Sequence, residues 1–296
     1  MISLRHRVQR MALVMGFVLL GSSTALARMS DEEFQQAMQQ LQADSPDERL
    51  EAVELLGRRG WRRRREISPR LRRLLRTDPD WRVRASSGRA IGRLSVRDAV
   101  PDLVAALRDP QVEVRVVAAA ALWRLPDAAA VPGLIALLDD RDAAARQWGA
   151  LALGVVRDRR ATEPLIRMLG DTESAVRMDA IRSLGRIADP AALDALRGFV
   201  SNGDNAIEER LEAINSIAAL ESPDKVNVLG RLLGDDEERI RLRAVRALGQ
   251  VGDMLAVPPL RRLKGNERSG EIREAIDEAI AAIRQRAREA RENRGN

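Results

Sequence analysis

The chain has 296 residues and a formal net charge of +6, with no cysteine, no tyrosine and a single histidine, His6. Disulfides are therefore excluded, as are zinc or non-haem iron centres built on Cys or His. A composition 45% hydrophobic but only 2% aromatic suits many small helix-packing positions, where Ala and Leu fill narrow seams.

Residues 1–27 read as a secretory signal peptide. Arg5, Arg7 and Arg10 precede the apolar run Met11 to Leu20, and Ala25-Leu26-Ala27 offers the small residues a signal peptidase reads. The run is too short for a bilayer core of about 30 Å, which takes roughly 20 residues. With no cysteine after it, a lipoprotein anchor is excluded. The mature chain is expected to start at Arg28 and to be periplasmic or secreted.

Residues 28–45 read as an N-terminal capping helix. Ser30-Asp31-Glu32-Glu33 is a capping box with acids at the positive end of the helix dipole, and Phe34, Met38 and Leu41 share one face.

The remainder repeats one pattern, best seen in Asp171–Ile187, DTESAVRMDAIRSLGRI. Asp171 reads as an N-cap, Val176, Ala180, Ile181, Leu184 and Ile187 fall with helical spacing, and Arg177 sits six residues after the cap. The same spacing links Asp78 to Arg84, Asp109 to Arg115, Asp140 to Arg146, Asp204 to Arg210 and Asp235 to Arg241, with weaker copies at Asp44/Arg49 and Glu267/Arg273. From Arg49 onward the arginines step by 35, 31, 31, 31, 33, 31 and 32 residues. A period held over seven steps marks a helical solenoid. Between these B helices, Ala99-Val100-Pro101, Ala130-Val131-Pro132, Ala161-Thr162-Glu163-Pro164 and Val257-Pro258-Pro259 open shorter A helices, proline being tolerated in a first turn. B helices are expected near 46–59, 79–94, 110–125, 142–156, 173–187, 205–220, 236–251 and 270–290, giving eight A/B pairs. Residues 284–296 lose the apolar stripe and read as a polar, frayed tail.

The Asp and Arg columns are structural in this reading: each Arg fork reaches the cap or adjoining turn of its own or the next repeat, building a ladder of charge-assisted hydrogen bonds. Gly57, Gly92, Gly154, Gly185 and Gly249 recur at one B-helix position, where a small residue lets helices approach closely.

The repeated Asp, Val-Arg, Ala, Leu-Gly pattern resembles the HEAT-repeat family, in particular the short HEAT-like repeats of phycobilisome lyases, over roughly residues 30–292. The resemblance implies an all-α, right-handed α-α superhelix of the HEAT/armadillo type, with B helices lining the concave side. It implies no single function, because such repeats serve scaffolds, adaptors and a few enzymes. Deoxyhypusine hydroxylase, a HEAT-like enzyme, binds iron through His-Glu pairs, and none exists here. The mature chain offers only carboxylates, Lys225 and Lys264 as general acids or bases, and no glycine-rich phosphate loop or cofactor site is discernible.

Two surfaces stand out. Between Arg58 and Arg76 lie Arg58, Arg59, Arg62, Arg63, Arg64, Arg65, Arg70, Arg72, Arg73 and Arg76 against Glu66 alone, a segment of +9 that includes Trp61. Such a cluster suits an anionic envelope polymer or lipid, export weighing against nucleic acid, or is a solvated A/B loop in an arginine-rich protein. The second surface lies two, five and nine residues after the repeated arginine. Most repeats place polar residues there, such as Glu51, Glu54 and Arg58, or Asp179, Arg182 and Arg186. Two neighbours instead offer Val117 and Ala120, then Trp148, Leu151 and Val155. An apolar patch in a polar groove fits a protein or peptide partner, unless the helix phase is displaced by one residue and these are core.

The expected protein is an exported, non-catalytic HEAT-like scaffold binding a partner through Val117, Ala120, Trp148, Leu151 and Val155. The alternatives are an anionic-polymer or lipid binder using the arginine cluster, and an accessory enzyme resembling phycobilin lyase subunits, whose repeats cradle a chromophore and pass it to a client. The signal peptide makes one direct prediction: Edman sequencing of periplasmic or secreted material should begin at Arg28, and an intact Met1 on cytoplasmic protein would refute it.

Overall fold

A computed structural model describes residues 29–295; the predicted signal peptide, with His6 and the Arg28 start, lies outside the described residues. Sixteen α-helices follow one another, joined by short 3-10 turns, with no strand among the described residues. They form eight antiparallel pairs: α1 Asp31–Gln40 and α2 Pro46–Arg59, α3 Arg64–Thr77 and α4 Trp81–Arg93, α5 Val100–Ala106 and α6 Val112–Arg124, and α7 Val131–Leu137 and α8 Ala143–Val156. The second half holds α9 Thr162–Arg167 and α10 Ser174–Ile187, α11 Leu193–Ser201 and α12 Ile207–Ala219, α13 Lys225–Arg231 and α14 Glu238–Val251, and α15 Val257–Asn266 and α16 Gly270–Gly295. The architecture is the all-α solenoid expected, with even-numbered helices in the B position.

One apolar core runs the length of the stack, from Phe34 in the first helix to Ile283 in the last. Val176, Ala180, Ile181 and Leu184 of α10 are fully buried, as their spacing requires. The expected capping box is present: the Ser30 hydroxyl accepts from the Glu33 N–H and the Glu33 carboxylate from the Ser30 N–H. Phe34, Ala37, Met38 and Leu41 close the core beneath it.

The glycine column packs as its size demands. A Cβ placed on Gly57 would lie 2.8 Å from the Ala90 Cβ, on Gly154 2.9 Å from the Ser183 Cα, and on Gly185 3.0 Å from the Ser216 Cα. These approaches are closer than side chains tolerate, so the column sets the spacing of successive B helices. Where serine replaces alanine at the facing position it adds a hydrogen bond across the seam, from the Ser183 hydroxyl to the Ala150 carbonyl and from Ser216 to Ile181, each 2.8 Å.

The arginine ladder links repeats. Arg84 donates Nε and Nη2 to the two carboxylate oxygens of Asp109 in the next repeat at 2.7 and 2.9 Å, while Nη1 reaches the Asp78 carbonyl of its own turn. Arg115 repeats this with Asp140, Arg146 with Asp171, and Arg49 opens the series on Asp78. Each aspartate also accepts the N–H two residues on, as Asp171 does from Glu173.

Three details depart from expectation. The aspartates precede the caps by two residues: Asp80, Asp142 and Glu173 occupy the N-cap positions, so the B helices start later than the pattern suggests. Asp204 is exposed, and Arg177 instead pairs with Glu209 of α12 at 2.8 and 2.9 Å. The 33-residue step puts two extra residues in that turn, shifting the aspartate out of reach, and Glu209 is 1% exposed in its place. Finally, Glu267 does not serve Arg273, which is exposed; it accepts from Arg241 and closes the ladder. Residues 284–295 are helical, and Arg286 anchors them by donating to the Gly249 and Gly252 carbonyls at the end of α14.

The ladder makes stability sensitive to acid. The hydrogen bond from Arg146 holds Asp171 below its ordinary pKa of 3.8, and that from Arg241 holds Glu267 below 4.5. A carboxylate depressed in the folded state adds stability that is complete above its unfolded pKa and lost as pH falls through the folded value. The urea midpoint should therefore hold from pH 7 to about pH 5 and fall steadily below about pH 4, less steeply in a chain carrying Asp171→Asn and Glu267→Gln. A midpoint unchanged down to pH 3 would contradict the ladder's role.

Candidate partner-binding face

The run Arg58 to Arg76 is not an A/B loop: it spans the end of α2, a 3-10 turn at Trp61–Arg63 and the whole of α3 up to its last residue but one. Much of its charge is engaged internally. Arg59 pairs with Glu33 at 3.2 Å, and Arg63 with Asp31 and Glu66 at 2.9 Å while lying 3.5 Å over the Phe34 ring. These contacts clamp the first helix onto the second repeat. Glu33 is held below its ordinary pKa by the Ser30 N–H and Arg59, and Glu66 by Arg63. On the other side, Arg72 and Arg76 converge on the buried Asp102, at 2.5 and 2.8 Å, fastening α3 to α5. Arg58 contacts Glu54 at 3.4 Å, and Arg64 stacks on Trp61 at 4.4 Å. Arg62, Arg65, Arg70 and Arg73 are exposed and have no carboxylate partner among the described residues.

On the B-helix face, Val117, Ala120, Trp148, Leu151 and Val155 are all half-buried. Val117 leans on Gly88, where a Cβ would meet its Cγ1 at 3.2 Å, and Trp148 packs against the core while keeping one edge outside. The five neither sink into the core nor stand clear of it. The polar comparison positions are less uniform than expected: Ser86 and Asp179 are buried, and Asp179 accepts from the Gln147 side chain at 2.7 Å. Two residues after the arginine, Ser86 and Asp179 thus sit in the seam, whereas Glu51 at the same position is exposed and Trp148 half-buried.

Trp123 completes this patch. It is 37% exposed and meets Trp148 edge to face, with centroids 6.3 Å apart and planes at 77°. Trp123 occupies the glycine column, eight residues after Arg115, where five other repeats carry glycine. An indole cannot fit a seam that barely admits a Cβ, so the ring comes out onto the surface. The break in the glycine column is the sequence signal that marks it.

Beside the tryptophans lies a cluster of arginines. Arg58 and Arg93 line, with Trp61, Gly57 and Leu94, an open cavity of about 290 Å³. Arg124 approaches from the next repeat, its Cδ 3.6 Å from where a Gly92 Cβ would be, and its guanidinium lies 5.9 Å from the Trp123 centroid. Burial, and then the charges of Arg89, Arg58 and Arg124, lower the Arg93 pKa; Glu54 is the acid that opposes them.

Both lysines hold structure. Lys225 donates to the Ala218 and Leu220 carbonyls at 3.0 and 2.8 Å, capping α12, and Lys264 pairs with Asp277. The described residues hold no group of three His, Cys, Asp or Glu side chains spaced for a metal ion, and no helix long and apolar enough to cross a membrane.

No curated protein matches this sequence significantly. Among solved structures, an engineered protein is 21% identical with a TM-score of 0.56, the match covering 84% of this chain and 78% of that one. YibA of Escherichia coli is 20% identical with a TM-score of 0.58, covering 74% and 82%. The phycocyanin lyase complex of CpcE and CpcF from Nostoc is 21% identical with a TM-score of 0.48, covering 84% and 94%. At these identities the first two show a shared fold. The family model described as HEAT repeats matches residues 34–123, 67–154, 100–168, 131–208 and 202–281. These overlapping matches span most of the chain, which belongs to the HEAT-repeat family.

Proposed function

We propose that the protein is an exported, non-catalytic HEAT-repeat scaffold that binds a protein partner on its B-helix face, centred on Trp123 and Trp148. The edge-to-face tryptophan pair carries the reading. Two large aromatic rings held part-exposed on rigid helices, with Val117, Leu151 and Val155 beside them, supply apolar area at little entropic cost, which is what an interface centre requires. Engagement of Lys225 and Lys264 in structural contacts supports the absence of catalysis, and the Arg-rich start with Ala25-Leu26-Ala27 supports export.

A second reading, binding of anionic polymer or lipid, draws on Arg62, Arg65, Arg70 and Arg73 of α3, which stay exposed when their neighbours are paired. Salt separates the two, because affinity built on many phosphate-like contacts falls steeply with ionic strength and affinity built on apolar burial does not.

Capture from cell-envelope extract at about 0.3 M salt, chosen to suppress long-range charge attraction, should retain a partner on the wild-type chain. Trp148→Ala should weaken that partner by at least about 2 kcal/mol, the usual threshold for a hot spot, with circular dichroism unchanged. Glu substitutions at Arg70 and Arg73 should leave it nearly untouched. The reverse pattern, with binding lost at Arg70 and Arg73 and kept at Trp148, would overturn the proposal in favour of the polymer reading.

A further inference from the structure

Arg62, Arg65, Arg70 and Arg73 form a block of charge that no contact of the fold uses. Arg62 stands in the turn that leads into α3, and Arg65, Arg70 and Arg73 lie on the helix itself, five and three residues apart. At about 100° per residue that spacing puts the three on one side of α3, away from its buried stripe of Ile67, Ser68, Leu71 and Leu75. All four side chains are exposed. The acids of this region are already engaged: Asp31 and Glu66 by Arg63, Asp98 by Arg72, and Asp102 by Arg72 and Arg76. Positive charges gathered without counter-charge weaken a compact state. An external anion supplies what the fold leaves open.

The shape of the block selects among anions. It stands on the outer ridge of the A-helix layer, and the neighbouring cavity at Trp61 is lined by Gly57, Arg58, Arg93 and Leu94 and by none of the four. The A helices before and after it, α1 and α5, contain no lysine or arginine. Exposed arginines return on later A helices, singly at Arg167 and Arg231 and as the pair Arg261 and Arg262. A polyanion crossing α1, α3 and α5 would therefore meet cations on the middle helix alone. One running along α3 would find only about 12 Å of charge from Arg65 to Arg73, at 1.5 Å per residue. A plane needs neither groove nor track, because a ridge touches it along its whole length. The apolar residues of α3 are committed to the core, Ile67 and Leu71 at 0% exposure and Leu75 at 2%. The helix thus has no apolar face to insert between lipids, and charge alone would hold it to a surface.

We propose that the outer face of α3 docks the protein on an anionic phospholipid bilayer, with Arg62, Arg65, Arg70 and Arg73 on the headgroup phosphates. The attachment is electrostatic and weakens as salt rises. Trp123 and Trp148 belong to B helices, so a chain docked through its A layer keeps the tryptophan face open to a protein partner. The proposal rests on the anion-binding reading of the arginine run and commits it to a lipid surface.

The test is flotation of the mature chain with unilamellar vesicles of phosphatidylcholine, alone or with about 30% phosphatidylglycerol, at about 0.1 M salt. Wild type should float with the anionic vesicles and stay behind with the neutral ones, and salt at about 1 M should release it. Arg70→Gln with Arg73→Gln should lower the partition coefficient about thirtyfold, the roughly 2 kcal/mol expected of two cations near an anionic surface. Arg70→Lys with Arg73→Lys should float as wild type does, because the contact is charge to surface rather than a shaped fork. Trp148→Ala should float normally too, which keeps this result apart from the protein-binding face. Since the two arginines make no contact within the fold, the glutamine variant should unfold at the wild-type temperature or above, separating lost docking from lost folding. Equal flotation with both vesicle types, unchanged flotation of the glutamine variant, or a loss in the lysine variant as large as with glutamine would overturn the proposal. Inorganic polyphosphate bound through the same arginines, with no flotation, would overturn the lipid surface and leave anion binding standing. Neither ligand bound would overturn both and leave the tryptophan face untouched.

Discussion

The stack is held in register by a two-sided arginine. In six of the rungs the guanidinium reaches back to a turn carbonyl of its own repeat and forward, with two parallel N–H donors, to a carboxylate of the next, while Arg210 gives Nε to the Val200 carbonyl and only Nη2 to Asp235. A lysine could not make that span, since a single ammonium lacks the planar fork. Where the carboxylate is an aspartate it also accepts the N–H two residues on, at the start of the following B helix, so the arginine before it fixes that helix entry. Burying these ions is costly in itself. What the ladder provides is a defined angle between neighbouring repeats, which apolar seams of Ala and Leu alone would leave less determined. Substitution of Glu209 for the displaced Asp204 shows that the requirement is a carboxylate at a place in space.

Against this regular frame the exceptions stand out. Glycine at one B-helix position sets the closest approach between repeats; Ala218 and Ala281 depart from the column by a single methyl, and Trp123 is the one large side chain in it. Its ring emerges on the same face as Trp148, and Arg124 accompanies it. The arginines between Arg58 and Arg76 divide similarly: Arg59 and Arg63 clamp the capping helix, Arg72 and Arg76 hold Asp102, and Arg62, Arg65, Arg70 and Arg73 face outward. Structure and surface are thus drawn from one composition, and pairing decides which arginine belongs to which.

Most of the frame was legible in the sequence because its causes are local and periodic. The capping box, the B-helix stripes, the arginine period and the glycine column each depend on spacing within one repeat, and each is present where expected. Contacts that cross repeats with irregular spacing were not legible. The partner of Arg177 lies inside the next helix, displaced by two inserted residues. The pairing of Arg63 with Asp31 joins residues 32 apart on helices whose relative rotation no local pattern sets. Trp123 was hidden for a different reason: its exposure follows from what the neighbouring helix leaves no room for. Val117, Ala120, Trp148, Leu151 and Val155 were identified by the contrast with charged residues at equivalent positions, and their half-burial agrees with a position at the edge of the seam.

A double-mutant cycle on Arg177 and Glu209 tests the ladder most directly, since Glu209 is the most buried acid of the ladder, the side chains being 22% and 1% exposed. Removing either partner alone should cost about 3–5 kcal/mol, because the other is left buried and uncompensated, and removing both should cost far less than the sum. The surface pair Arg159 and Glu221, exposed by 62% and 68%, serves as the reference, with coupling below about 1 kcal/mol. Coupling of about 2 kcal/mol or more at Arg177 and Glu209 is the expected result. Additivity within about 0.5 kcal/mol, as for distant independent sites, would contradict the claim that these rungs hold one repeat on the next.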